Sequence, residues 1–134
     1  MPASKYDFSI EQGASFKLML TYKDSNGNIV PLTDYCVRLT WRTDIGSTQI
    51  FSSLDQANPD YKFDIDEPNG VINLLLSANY TNSLNFGSAK YDLELQSPED
   101  LYTGGGKIIK RLLFGSISLS KRFSKTTELL DCPT

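Results

Sequence analysis

A chain of 134 residues that is 40% hydrophobic, 11% aromatic and 22% charged has the size and composition of one folded domain with a real core. Its net charge of −3, from 13 basic and 16 acidic residues, lacks the cationic surplus that displaces counterions from nucleic acid. The tightest basic clusters, residues 107–111 and Lys121-Arg122, read as solvated strand faces. No apolar run reaches the ~18 residues of a membrane-spanning helix, and the opening residues offer no apolar stretch for a signal peptide. The expectation is a protein folded in a cytoplasm, with neither nucleic acid nor membrane as partner.

Strand signals then follow one another along the chain. In residues 15–23, Phe16, Leu18, Leu20 and Tyr22 recur at every second position, with Lys17, Thr21 and Lys23 between them. Period two sends one set to a core and the other to water. The Asn26-Gly27 pair marks a reversal. Tyr35, Val37, Leu39 and Trp41 alternate next, and Cys36, Arg38 and Thr40 take the opposite face. Residues 48–52 and 61–65 are shorter strand candidates. Pro68-Asn69-Gly70 turns the chain into residues 71–76, a partly continuous apolar run expected where both faces are covered or a strand meets a corner.

Residues 77–84 form the one helical turn the pattern supports. Ser77 is placed to cap it, and Leu76, Tyr80 and Leu84 share a face. Too short to stand alone, it reads as a lid over one end of a sandwich. Ala89, Tyr91, Leu93 and Leu95 then alternate against charged neighbours. A loop is expected over residues 97–106, with its glycines at a hairpin tip, before a last strand over residues 107–120. About seven strands without a crossover helix predict antiparallel sheets. The fold expected is all-β, an immunoglobulin-like antiparallel β-sandwich over residues 1–120, followed by a C-terminal tail over residues 121–134. Two details favour that arrangement: Trp41 on the third strand, where such domains bury a tryptophan, and Tyr91 near the start of the next-to-last strand, the place of a corner tyrosine.

Catalytic signals are sparse. The sequence contains no histidine, which removes Ser-His-Asp and Cys-His chemistry. Cys36 and Cys132 are expected as free thiols. Asp60, Asp64, Asp66 and Glu67 make an acidic cluster, but Pro68 and Asn69 stand where a calcium loop needs an oxygen ligand and a glycine. Gly104-Gly105-Gly106 leads into a strand rather than a phosphate-binding helix. No enzyme, cofactor or metal is expected. Tyr61, Phe63 and Tyr102 are the aromatic candidates for a carbohydrate face, which keeps a free-standing carbohydrate-binding or adhesion module as the alternative function.

The order of short motifs carries a resemblance. Phe8-Ser9-Ile10-Glu11-Gln12-Gly13-Ala14-Ser15-Phe16 comes first, then Pro31-Leu32-Thr33-Asp34-Tyr35 leading to Val37-Arg38-Leu39. Gly70-Val71-Ile72-Asn73-Leu74, Leu76-Ser77-Ala78, Tyr91-Asp92-Leu93-Glu94-Leu95 and Arg111-Leu112-Leu113-Phe114-Gly115-Ser116-Ile117 follow. Over residues 8–120 this resembles the small immunoglobulin-like structural proteins of tailed-bacteriophage virions, and it is similar to the N-terminal domain of phage upper baseplate proteins. The resemblance implies a non-enzymatic scaffold in a tail, baseplate or neck, assembled in the host bacterial cytoplasm. Its partners would be other virion structural proteins and copies of itself. The tail here is shorter than the C-terminal extension of upper baseplate proteins. Its Phe123, Leu129 and Leu130 have no place left in a closed sandwich and are the expected protein-interaction residues.

Overall fold

The computed structural model describes residues 3–102 and 106–122. The elements, in chain order, are β1 (Ser4–Lys5), β2 (Phe8–Glu11), β3 (Phe16–Thr21), β4 (Cys36–Thr43), β5 (Thr48–Ser52), β6 (Tyr61–Asp66), β7 (Val71–Leu76), α1 (Ala78–Asn82), β8 (Ser88–Tyr102) and β9 (Gly106–Ser120). They build two sheets. The larger runs β1-β9-β8-β4-β5, with β2 continuing along β9; the smaller runs β3-β7-β6. The three-stranded sheet β3-β7-β6 facing a sheet that carries β4, β8 and β9 makes a two-sheet β-sandwich. The all-β sandwich expectation therefore holds, with nine strands among the described residues where about seven are legible in the sequence.

The period-two pattern explains the core. From β4, Val37, Leu39 and Trp41 point inward with Phe51 of β5. Ala89, Tyr91, Leu93 and Leu95 of β8 join them, as do Leu113, Ile117 and Leu119 of β9. The smaller sheet answers with Leu18, Tyr61, Phe63, Ile72, Leu74 and Leu76. Trp41 is only 3% exposed and meets Phe51 and Phe86 edge-on, at centroid separations of 4.8 and 5.6 Å. The apolar run of β7 alternates after all: Ile72, Leu74 and Leu76 are buried, while Val71, Asn73 and Leu75 are half-buried on the outer face.

Helix α1 forms where expected. The Ser77 side chain accepts a hydrogen bond from the Tyr80 amide at 3.1 Å, and the Ser77 carbonyl accepts one from Thr81. The helix lays Tyr80 over Trp41 and against Phe51, so the lid seals the aromatic end of the core.

Two expectations need correction. The sheets are not wholly antiparallel: β1 and β2 pair with β9 in parallel, Ser4 opposite Leu113 and Phe8 opposite Ile117. Parallel neighbours need a long connection, and here nearly the whole domain provides it. The expected loop over residues 97–106 is also shorter. β8 stays paired with β9 to Tyr102 opposite Gly106, through register shifts after Leu93, Gln96 and Asp100. Those irregularities break the alternation from which a strand is read in sequence.

Candidate functional site

The predicted interaction residues Phe123, Leu129 and Leu130 lie outside the described residues, as does Cys132. The structure does define how the last described residues, up to Arg122, are held. β2 ends in a turn over residues 11–14, where the Gln12 amide donates to the Ser120 carbonyl at 2.9 Å. The Gln12 side chain then works in both directions. Its Nε2 donates to the Leu84 carbonyl at 2.8 Å, and its Oε1 accepts the Arg122 amide at 2.9 Å. The Arg122 guanidinium reaches Asn82 Oδ1 at 3.1 Å. It lies so close over Gly13 that a Cβ there would sit 2.5 Å from its Nη1; Gly13 also has a φ of +85°, which a side chain disfavours. Thr81, fully buried, ties the same turn to the helix by accepting from the Gly13 amide at 3.1 Å and donating to the Ala14 carbonyl at 2.8 Å. Three elements thus converge to fix the chain at Arg122. Sequence patterning gives no hint of this, because the partners are 40 to 110 residues apart.

A second surface is the outer face of the larger sheet. Strand register places Arg42, Lys90 and Ser116 side by side, and Thr40, Asp92, Phe114 and Lys5 in the next row. Lys5, Arg42, Lys90 and Arg111 line a groove of about 540 Å³, with Asp92 as its one carboxylate among the described residues. Lys90 Nζ donates to Ser116 Oγ at 2.8 Å. Arg111 lies 4.9 Å from the centroid of Phe114, a cation–π contact that holds the guanidinium against the sheet. Beside the groove, Arg38 and Glu94 pair at 2.8 Å. Asp92 has its carboxyl pKa raised, first by desolvation and then by the Glu94 charge, with Arg111 and Arg38 opposing. The cations come from four different strands, so their convergence is a product of topology and escapes inspection of sequence runs.

Other sequence candidates separate. Tyr61 and Phe63 are 7% and 2% exposed, which removes them as a carbohydrate platform; the Tyr102 side chain lies outside the described residues. Tyr61 instead packs edge-on against Phe51 and donates its hydroxyl to Asp55 Oδ2 at 3.0 Å. Among the described residues no group of three or more His, Cys, Asp or Glu is placed to hold a metal. Asp66 is engaged in its own turn, accepting from Asn69 Nδ2 at 2.9 Å. Cys36 is a free thiol, half-buried on the outer face of β4, away from Trp41.

Tyr91 corrects the corner-tyrosine expectation. A corner tyrosine bonds the backbone a few residues upstream. Here the hydroxyl donates at 2.6 Å to the carbonyl of Tyr6, in the link between β1 and β2. The tyrosine stands in the expected strand but secures the N-terminal segment. Its pKa is pushed up to about 12, chiefly by burial, with smaller contributions from Tyr6 and Asp7.

Neither a protein-family model nor a curated protein matches this sequence.

Proposed function

We propose that the protein is a non-enzymatic structural component of a tailed-phage virion, acting in a tail, baseplate or neck as a scaffold for protein–protein assembly. The observation that carries the reading is the anchoring of Arg122, the last described residue before the C-terminal segment. Gln12, Asn82 and Gly13 fix Arg122 at one end of the sandwich. Everything beyond it, Phe123, Leu129 and Leu130 included, follows a closed core already filled by its own side chains. An anchored strand end is the economical way to present such a segment to a neighbour. Burying each of these side chains on a partner gains about 1.5–3 kcal/mol, against about 1–2 kcal/mol for each residue ordered. A tail strand added to an exposed sheet edge would gain backbone hydrogen bonds as well.

The motif order supports the reading too. The segments that resemble phage virion proteins fall on β2–β3, β4, β7, β8 and β9 in succession. The test is a mass-spectrometric inventory of purified virions, made with the full chain and with a chain ending at Arg122. The full chain is expected in the particles and the shortened one is expected to fold but be lost from them. Absence of the full chain from particles overturns the assignment to virions. Incorporation of the shortened chain at wild-type yield removes the docking role of Phe123, Leu129 and Leu130.

A further inference from the structure

We propose that the cationic groove on the outer face of the larger sheet receives the acidic β6 strand of a second copy of this chain. The proposal rests on the reading of the protein as a self-assembling scaffold and names the surfaces that would meet. On one side stand Lys5, Arg42, Lys90 and Arg111, all exposed, around a single carboxylate among the described residues. In a protein of net charge −3, such a local excess of cations is opposed to the overall balance. On the other side, Asp60, Asp64, Asp66 and Glu67 are all exposed on and beside β6, with Lys62 the one cation among them. β6 ends the order β3-β7-β6, so among the described residues its far edge carries no neighbouring strand. The groove and β6 belong to different sheets, and the contact therefore joins two unlike surfaces of successive copies.

That geometry has a consequence for assembly. A contact between unlike surfaces is heterologous, and repetition of it gives a closed ring or an open helical stack rather than a two-fold dimer. Charge complementarity also sets the register and accelerates encounter more than it adds affinity. Arg111 is already held against Phe114, and Lys90 against Ser116, so part of the ordering of the cationic face is complete before a partner arrives.

The test uses the full chain and two charge-reversed forms, Arg42→Glu with Lys90→Glu, and Asp64→Lys with Asp66→Lys. All four positions are exposed, and circular dichroism checks that each form keeps its strand content. Self-association is measured by sedimentation velocity against concentration and salt. The wild type is expected to associate, and to weaken at least ~10-fold as salt rises to about 1 M, where the Debye length falls to about 3 Å. Each reversed form alone is expected to be monomeric. An equal mixture of the two is expected to associate again, because each then offers the other an opposite charge. A wild type that stays monomeric at all concentrations overturns the inference, as does association indifferent to either reversal or a mixture that fails to restore it. The virion inventory is independent of these outcomes. A chain found in particles but monomeric in solution refutes the groove contact alone, and one that associates through these charges but is missing from particles refutes the virion assignment alone.

Discussion

Two neighbouring aromatic residues on the larger sheet, Trp41 and Tyr91, face each other across β4 and β8 and organise opposite halves of the core in different ways. Around Trp41 the packing is by area. Phe51, Phe86 and Tyr80 surround it, and the α1 lid completes the enclosure. Around Tyr91 the packing is by fit. Phe8 meets it edge-on at 5.0 Å and stacks on Phe16 at 5.2 Å, but the segment bearing Phe8 is held by directional contacts. The Tyr91 hydroxyl binds the Tyr6 carbonyl, the Ser116 amide donates to Asp7 Oδ1 at 2.8 Å, and Gly115 leaves room for the Tyr6 backbone. The first half tolerates small displacements because hydrophobic burial is non-directional. The second depends on a few atoms being in place.

The largest effect should come from Trp41→Ala, expected to cost about 3–5 kcal/mol through lost burial and the cavity left behind. The loss is read as a lower denaturation midpoint with circular dichroism as the probe, since the only tryptophan has gone. A loss below about 1 kcal/mol would mean that the aromatic surroundings collapse into the space, and that area is not what organises this half. Gly115→Ala should follow, at about 3 kcal/mol. A Cβ there would lie 2.3 Å from the Tyr6 carbonyl oxygen and 2.7 Å from Asp7 Oδ1, contacts that backbone cannot yield without moving β1 away from β9. Faster amide exchange in residues 4–11, with the Trp41 half unchanged, is the expected signature. Uniform destabilisation of both halves would erase the distinction between them.

The same contrast explains what was legible in the sequence. The Trp41 half is written in period two on β4, where Val37, Leu39 and Trp41 fall where alternation puts them, whereas the inward Leu74 and Leu76 of β7 are masked by a partly continuous apolar run. Ser77 announces the helix because capping is a local bond. The Tyr91 half is not local. Its N-terminal strands are two and four residues long, and their partner is more than a hundred residues away, so no window of sequence contains both. Gly115 sits among alternating residues of β9 and looks like a weak strand position until the Tyr6 carbonyl is seen against it. The cationic groove was hidden for the same reason, with Lys5, Lys90 and Arg111 on three strands that adjoin only in the fold.

Tyr91→Phe and Tyr80→Phe sharpen the comparison by removing one oxygen from each half. Both hydroxyls have a pKa raised to about 12, in each case chiefly by burial. Only Tyr91 uses its hydroxyl for a bond that spans the fold; among the described residues no hydrogen bond ends on that of Tyr80. Tyr91→Phe should cost about 1–3 kcal/mol by leaving the Tyr6 carbonyl unpaired, whereas Tyr80→Phe should be close to neutral. The pH dependence follows from the raised values. An unfolded tyrosine loses its proton near pH 10, while the folded ones keep theirs to about pH 12. Stability is therefore fully present below pH 10 and is lost as pH rises from about 10 to about 12. Each substitution should flatten that alkaline limb, and the two together more than either. Equal costs for the two at neutral pH would contradict the division into area and fit.

The smallest effect tests the Trp41 half at one of its few directional contacts. Ser77→Ala deletes the hydroxyl that accepts the Tyr80 amide and closes the first turn of α1. Loss of such a cap typically costs about 1 kcal/mol. The helix has five residues and little stability of its own, but it does not rely on the cap alone. Leu76 and Leu84 flank it in the core, and the Thr81 hydroxyl bonds the Ala14 carbonyl on the adjoining turn. Tyr80 should therefore remain over Trp41, and the tryptophan emission of the folded variant should stay blue-shifted as in the parent. The expected result is a loss of about 1 kcal/mol, below that of Tyr91→Phe, with emission unchanged. A larger loss accompanied by red-shifted emission would show that the lid opens when its cap is removed. Enclosure of Trp41 would then depend on a single hydrogen bond, as retention of the N-terminal strand depends on that of Tyr91.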